Sequence, residues 1–141
     1  MIAVDTNLLI YAHRAGLPEH RPAQRALTRA RNDTRGWGIA LPCIAEFWSV
    51  VTHPACTGGP STAEQAYRFL AALVEAEAAV WVPGENLWEK LARLAVDLRV
   101  QGPRIFDLQI ALIAYENGAS ELWTHDAGFV TIPGLRLYDP L

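Results

Sequence analysis

The sequence predicts an α/β fold of the three-layer α/β/α type, with a mostly parallel central sheet flanked by helices. Short apolar segments alternate along the chain with longer amphipathic ones, a pattern typical of parallel strands joined by helices. The chain has 141 residues, of which 51% are hydrophobic. Because no linker, repeat or low-complexity stretch divides it, we expect a single domain spanning residues 1–141 with a substantial core.

Five short apolar segments are predicted to be strands. Each is bounded by polar or turn-forming residues, and each is too short to be a buried helix. They are residues 1–4, 37–42 (WGIALP), 79–83 (AVWVP), 121–125 (ELWTH) and 135–139 (LRLYD). An acidic residue directly follows each of the strands at 1–4 and 121–125, which directs attention to their carboxyl ends.

Six segments between these strands are predicted to be helices, at 6–13, 18–33, 43–53, 62–78, 85–100 and 105–117. Apolar residues recur in them at helical spacing. The expected inward residues are Ile44, Phe47, Trp48 and Val51 in the third helix and Leu87, Leu91, Leu94 and Leu98 in the fifth. Gly118 is expected to end the last helix.

The tryptophans divide into two groups. Trp48, Trp81, Trp88 and Trp123 lie within predicted elements and are expected in the core. Trp37 has a glycine on each side, so an exposed ring that stacks on a base or on a partner remains an alternative to burial.

Four acidic residues are predicted at one edge of the sheet. Asp5 and Asp126 follow the ends of strands, and Glu46 and Asp107 are expected in the first turns of their helices. The carboxyl ends of parallel strands and the helices that follow them share one edge. Each acid alone can be explained as a helix cap or as a charge favoured by the helix dipole. Four converging carboxylates, however, repel one another unless protons or a cation neutralise them.

The oxygen-only character of this set favours a hard divalent cation, Mg²⁺ or Mn²⁺. His125 beside Asp126 and His53 near Glu46 leave zinc open as an alternative. A bound divalent ion lowers the pKa of a water molecule and neutralises the charge that grows on a phosphate. The four acids therefore favour phosphodiester hydrolysis, which is the chemistry of a nuclease.

Four segments of the chain resemble PIN-domain proteins, and more narrowly the VapC toxins of bacterial toxin–antitoxin pairs: VDTNLLIYA, AEF, FDLQIALIAYENGA and LWTHDAGF. The resemblance implies that the four acids are catalytic and bind the metal, and that Asn7 and Thr124 support them. Many members carry Asn or another small polar residue where His125 stands. If Asp5 is a ligand, Thr6 and Asn7 are expected to cap the first helix in its place.

The resemblance also implies an activity and partners. The implied activity is that of a Mg²⁺- or Mn²⁺-dependent endoribonuclease that cleaves structured RNA, such as tRNA or a ribosomal RNA loop. The implied partners are a second copy of the chain, in a homodimer, and a small antitoxin that holds the enzyme inactive. A non-catalytic PIN-like module that binds protein or RNA, and an RNA-processing nuclease outside a toxin–antitoxin pair, remain alternatives. A phosphohydrolase with an aspartyl nucleophile is disfavoured, because it needs a second acid where Asn7 stands.

The formal net charge of −3 gives no general affinity for RNA, so phosphate contacts are expected from local arginines. Arg21, Arg25 and Arg29 recur every four residues and share one helix face. This face is either a phosphate-contacting stripe or an ordinary solvated surface. Arg104, three residues before Asp107, is the better candidate for contact with substrate phosphate.

Cysteine usage and hydropathy predict the compartment. Cys43 and Cys56 form no CxxC pair, and neither a secretory signal nor an apolar run of membrane-spanning length is present. We therefore expect reduced thiols in a soluble, cytoplasmic protein that does not contact a membrane.

Overall fold

Five parallel strands form one sheet at the centre of the molecule, and the computed structural model describes all of residues 1–141. The strands are β1 (Ile2–Val4), β2 (Trp37–Ala40), β3 (Ala79–Trp81), β4 (Glu121–Trp123) and β5 (Arg136–Tyr138). Their spatial order is β3-β2-β1-β4-β5, and every neighbouring pair is parallel. The predicted parallel sheet is confirmed.

Six helices cover this sheet: α1 (Thr6–His13), α2 (His20–Arg31), α3 (Leu41–Val51), α4 (Ala63–Glu75), α5 (Leu87–Asp97) and α6 (Arg104–Glu116). The connections from β1 to β2 and from β2 to β3 move one way across the sheet, and the connection from β3 to β4 moves back. Because such crossovers are right-handed, α1 to α4 pack on one face and α5 and α6 on the other. This arrangement confirms the three-layer α/β/α architecture.

The central strands β1 and β4 define where a ligand fits. The chain leaves the carboxyl end of β1 towards β2 and the carboxyl end of β4 towards β5, in opposite directions. Strand order therefore reverses between them, and a crevice opens at that edge of the sheet. Asp5 and Thr124 directly follow these two strands.

The third helix begins earlier than the sequence predicts. Leu41 and Pro42, assigned above to the second strand, form the first turn of α3. Proline fits there because its missing N–H has no partner in the first turn of a helix. As a result, Glu46 lies in the second turn of α3 and not in the first.

Two tryptophans that the sequence predicts in the core lie at the surface. Trp48 is 36% exposed and Trp88 is 72% exposed. In α5 the neighbouring Leu87 faces the core instead. The buried residues of α3 are Cys43, Phe47 and Val51. The predicted stripe of α3 is therefore correct at Phe47 and Val51, and Cys43 is buried where Trp48 was expected. In α5 the predicted stripe is correct at Leu87, Leu91 and Leu94, which are buried or packed against the core.

The other tryptophans are buried. Trp81 and Trp123 pack in the core as predicted. Trp37 is also buried, and its Nε1 donates a hydrogen bond to the Ala76 carbonyl oxygen at 3.2 Å, which excludes the stacking alternative. Leu98 is 42% exposed and not inward, because α5 ends one residue before it.

Glu121 is a buried carboxylate at the first position of β4. One of its oxygens accepts from Arg35 at 2.8 Å and from Arg136 at 2.5 Å, and the other accepts from Trp123 Nε1 at 3.0 Å. These hydrogen bonds, that of Arg35 first, lower the pKa of Glu121 to about 2. A charge is therefore tolerated inside the sheet because it is paired on both oxygens.

Both cysteines are free, Cys43 in the core and Cys56 partly exposed. Burial raises the pKa of the Cys43 thiol well above its usual range. None of the six helices is both long and apolar enough to cross a bilayer.

Gly38 in β2 is expected to be intolerant of any side chain. A Cβ there would lie 2.5 Å from Trp81 Cζ2 and 2.8 Å from the Ala79 carbonyl oxygen. We expect Gly38→Ala to lower the free energy of unfolding by about 1–3 kcal/mol, as overpacking of a core does. Urea denaturation measures this change. The control is Gly16→Ala, where a Cβ meets nothing within 4 Å; equal midpoints for the two variants would contradict the prediction.

Candidate active site

A cleft of about 550 Å³ lies at the carboxyl ends of β1 and β4. Its walls come from α1, α3, α6 and the segment after β4. The four acids that the sequence singles out all line it: Asp5, Glu46, Asp107 and Asp126. The fold thus brings together side chains that are up to 121 positions apart in the chain, between Asp5 and Asp126.

Asp5 is the N-cap of α1. It keeps the extended conformation of the strand, with φ −79° and ψ 158°, and its Oδ1 accepts a hydrogen bond from the Thr6 backbone N–H at 2.7 Å. The expectation that Thr6 and Asn7 replace Asp5 as the cap is therefore wrong. The residue that ends the strand both caps the helix and faces the cleft, because one carboxylate has enough lone pairs for both.

The second oxygen of Asp5 is held by two polar side chains. Its Oδ2 accepts from Thr124 Oγ1 at 2.7 Å and from Asn7 Nδ2 at 3.0 Å. Thr124 Oγ1 in turn accepts from Asn7 Nδ2 at 2.9 Å and from the Asp126 N–H at 3.0 Å. Three of the four lone-pair positions of Asp5 are thus used, which leaves one for a ligand in the cleft.

Asp5 is 6% exposed, and this burial raises the pKa of its carboxyl to about 6. The hydrogen bonds from Thr124 and from the Thr6 N–H act in the opposite direction, whereas the charges of Glu46 and Asp107 raise the pKa further. Near neutral pH a positive charge in the cleft would favour the ionised form. The electrostatic surroundings of Asp5 therefore favour the binding of a cation beside it.

Glu46 is tied to Asp5 through Thr6. Thr6 is buried, and its Oγ1 donates to Glu46 Oε2 at 2.7 Å. Sequence reasoning treats Thr6 only as a cap, although a hydroxyl directly after a strand-ending acid signals a second polar position. This hydrogen bond fixes an otherwise exposed glutamate at the cleft wall.

Arg104 lies among the remaining acids. Its Nη1 donates to Asp107 Oδ2 at 3.3 Å, is 3.8 Å from Asp126 Oδ2, and also donates to the Gly128 carbonyl oxygen. Asp107, in the first turn of α6 as predicted, also accepts from the Val130 N–H at 3.3 Å. One guanidinium group therefore partly neutralises two of the four acids.

The acids fit a hard divalent cation in donor type and in location. As they stand, no three of the His, Cys, Asp and Glu side chains are placed to share an ion. In this arrangement Asp107 Oδ2 faces the Arg104 guanidinium at 3.3 Å.

The two histidines differ in their relation to the cleft. His53 Nδ1 accepts a hydrogen bond from the Ala55 N–H at 3.0 Å and does not line the acidic cleft. His125 does line it, with Nδ1 2.8 Å from Asp139 Oδ2. The four acids supply oxygen ligands, the type that Mg²⁺ and Mn²⁺ prefer, and His125 is the one nitrogen ligand beside them that zinc could use.

Two aromatic side chains that sequence reasoning missed also line the cleft. Phe106 is 61% exposed, and the ring of Tyr11 lies edge-on to His125 with centroids 6.1 Å apart. Burial raises the pKa of Tyr11, so its hydroxyl stays protonated. The signal for Phe106 was its place beside Asp107 at the start of an otherwise buried helix.

Residues 2–135 match the family model of the PIN domain. Ribonuclease VapC43 of Mycobacterium tuberculosis is 37% identical over 142 residues, which cover 100% of this chain and 96% of the relative. The chain belongs to the VapC branch of the PIN-domain family. The resemblance seen in the four sequence segments is confirmed.

Solved structures give the same fold. Mycobacterium tuberculosis VapC20, a Sarcin-Ricin loop cleaving toxin, superposes on this PIN domain with a TM-score of 0.67 at 18% identity, over 94% of this chain and 98% of that one. VapBC-1 from nontypeable Haemophilus influenzae gives a TM-score of 0.65 at 27% identity, over 99% and 98%. The predicted PIN-like architecture is confirmed.

The buried Asp5 predicts a pH dependence of stability in the metal-free PIN domain. Because its folded-state pKa of about 6 lies above the ordinary value of 3.8, the ionised carboxyl costs stability. The stability of Asp5→Asn relative to wild type should therefore rise by up to about 3 kcal/mol between about pH 4 and pH 6 and stay level above that. This change adds to a cost that is the same at every pH, because an amide nitrogen cannot accept the hydrogen bonds that Thr124 and Asn7 donate to Oδ2. Denaturant unfolding in EDTA at several pH values measures this difference. A difference that is the same at every pH would contradict the assignment to Asp5 ionisation.

Proposed function

We propose that residues 1–141 form a single PIN domain that acts as a metal-dependent endoribonuclease, the toxin of a toxin–antitoxin pair. The observation that carries this proposal is the convergence of four acids on one cleft, at the edge of a parallel sheet where ligands bind. The relatives in its family branch, 37% identical over the full chain, are ribonucleases.

In this proposal Asp5, Glu46, Asp107 and Asp126 would hold Mg²⁺ or Mn²⁺. When bound, the ion polarises a phosphate oxygen and supplies a water of lowered pKa for in-line attack. Asn7 and Thr124 keep the Asp5 carboxylate in a fixed orientation through their hydrogen bonds. Asn7 and Thr124 thus position the ligand, and the four acids supply the negative charge that attracts the cation.

Arg104 is the proposed contact to the substrate phosphate. Its Nη1 makes the contacts to Asp107 and to the Gly128 carbonyl oxygen. Nη2 and Nε carry three further N–H groups of the guanidinium, and these are available to an anion. The exposed ring of Phe106 at the same wall is placed to stack on an unpaired base, which is how proteins bind single-stranded RNA loops.

Structured RNA, such as tRNA or a ribosomal RNA loop, is the proposed substrate. An unpaired loop presents bases that can leave the stack and reach a cleft lined by an exposed aromatic ring. VapC20, which shares this fold, is a Sarcin-Ricin loop cleaving toxin. The activity of VapC20 supports structured RNA, and not unstructured RNA, as the substrate of this chain.

The arginine stripe on α2 is a further candidate for phosphate contact. Arg21 and Arg25 are exposed and enter none of the ion pairs of the structure. Asp33, an acid close to the end of α2, pairs with Arg35 and not with this face. An unchanged salt dependence of RNA binding in an Arg25→Gln variant would remove this face from the substrate path.

A small antitoxin protein is the proposed protein partner, and the cytoplasm is the proposed compartment. The likeness to VapBC-1 supports the partner, and the two free cysteines are consistent with a reducing compartment. An RNA-processing nuclease outside a toxin–antitoxin pair would lack such a partner gene beside its own. A non-catalytic PIN-like module would be expected to lack one of the acids, and all four are present.

The exposed face of α5 supports a homodimer. Trp88, Ala92 and Val96 follow one another at four-residue spacing, so they share one face of the helix, and Trp88 and Val96 are 72% and 76% exposed. A tryptophan at an interface buries about 150–250 Å². A second copy of the chain is the proposed cover for this face.

We expect Trp88→Glu to convert a dimer into a monomer, because it places a charge in the proposed apolar interface. Size-exclusion chromatography with light scattering measures the mass. Tyr67→Glu on α4, where the side chain is 65% exposed, is the matched control and should remain dimeric. Wild-type protein that is monomeric at every concentration would rule out this interface.

We expect Asp107→Asn to lower RNA cleavage by about 10²–10³-fold, the usual cost of removing one preorganised group that stabilises charge. The assay is cleavage of total RNA with Mg²⁺ or Mn²⁺, and with EDTA, which should abolish wild-type activity. Asp97→Asn, an exposed acid on α5, is the control and should cleave like wild type. Cleavage that survives EDTA, or none by folded wild-type protein free of antitoxin, would count against the nuclease.

A further inference from the structure

We propose that a basic cavity next to the acidic cleft binds backbone phosphates of the same RNA strand. This inference rests on the proposed nuclease function and assigns a second subsite to its substrate. The cavity measures about 600 Å³ and lies between the end of α1, the start of α4 and the loop of residues 57–61. It is a separate site from the cleft that holds the four acids.

The charge in this cavity is positive and uncompensated. Arg14 and Arg68 line it, and no Asp or Glu does. The Arg14 guanidinium donates only to neutral acceptors, the Thr57 carbonyl oxygen and Ser61 Oγ. Arg68 is exposed and, like Arg14, enters no ion pair. Two guanidinium groups without a carboxylate partner favour an anion, and guanidinium matches phosphate well.

The wall of the cavity is held in place by packing. His13 Nε2 lies 2.8 Å from Ser61 Oγ, and the His13 ring packs edge-on against Phe47 and Phe69 with centroids 5.3 and 5.0 Å away. Gly58 has φ +84°, and a Cβ there would lie 3.1 Å from Arg14 Nη2. The glycine thus lets the loop close onto Arg14, so that the cavity has a defined shape before any ligand arrives.

A groove of about 440 Å³ along α1 adjoins both sites. It shares Ile10 with the acidic cleft and Arg14 with the basic cavity. At a rise of 1.5 Å per residue, Asp5 and Arg14 are separated by about 13 Å along the helix. This distance corresponds to a few nucleotides of a strand with a rise of roughly 3.4 Å per step.

The separation of charge favours a nucleic acid strand over an acidic protein segment. A strand carries a phosphate at every step, so one phosphate can meet the cation held by the acids while another reaches the arginines. An acidic peptide that fills the cavity would make favourable charge interactions only with the arginines there. At the other end of the groove its carboxylates would face Asp5 and Glu46.

The test is RNA binding by Arg68→Gln, made in the Asp107→Asn background with Mg²⁺ so that cleavage is suppressed. Arg68 is chosen over Arg14 because Arg14 also holds the 57–61 loop. Fluorescence anisotropy with a labelled single-stranded RNA gives the affinity at several salt concentrations. Removal of one phosphate-binding group should decrease the slope of log affinity against log salt by about 0.7. The matched control is Arg31→Gln, an exposed arginine in the last turn of α2 that enters no ion pair.

A decreased slope in Arg68→Gln, with wild-type slope in Arg31→Gln and matching thermal melts, supports the phosphate subsite. Equal slopes in all three proteins overturn it. If Arg68→Gln binds RNA unchanged but no longer binds labelled polyglutamate, the phosphate subsite is also overturned, and the cavity is assigned to an acidic protein segment. RNA cleavage is then measured with Arg68→Gln and Arg31→Gln, each made in otherwise wild-type protein. This measurement distinguishes failure of the phosphate subsite from failure of the proposed nuclease function. A raised KM at unchanged kcat supports the subsite, whereas absence of cleavage in wild type rejects the nuclease and leaves the anisotropy result to decide the cavity.

Discussion

The organisation of the site depends on one buried carboxylate. Asp5 ends the central strand β1, where burial raises its pKa to about 6. It is retained there because Thr6, Asn7 and Thr124 donate to its two oxygens. The same hydrogen bonds join the carboxyl ends of β1 and β4 to the start of α1. Asp5 therefore both holds these elements together and is a proposed metal ligand. Its buried charge lowers the stability of the folded protein at the place where the proposed cation would bind.

Charge is separated along α1. At its start the four acids line a cleft, and beyond its end Arg14 and Arg68 line a cavity without carboxylates. In the proposed RNA complex, local fields of opposite sign a few nucleotides apart would allow a chain with a net charge of −3 to hold the strand. Arg104 adds a cation inside the acidic cleft, so the acids are partly neutralised in the metal-free protein.

Where sequence reasoning fails, the cause is a tertiary contact. The apolar spacing of α3 and α5 correctly predicts two amphipathic helices, but it does not decide which of two adjacent apolar residues faces the core. In α3 the spacing places both Phe47 and Trp48 inward, and only Phe47 is buried. Trp88, expected in the core because it lies within a predicted helix, is on the outer face of α5. Similarly, the hydrogen bond from Thr6 to Glu46 joins residues 40 positions apart, and no local pattern specifies it.

The sequence by itself determined the strand and helix order, the parallel sheet and the four acids at its carboxyl edge. These follow from short-range periodicity and from the chirality of crossovers, which act on any chain of this pattern. Only the tertiary structure decided that Arg104 lies beside Asp126, that Trp37 is buried, and that Arg14 and Arg68 share a cavity. These contacts join residues from different elements, and their geometry is set by how the helices pack on the sheet.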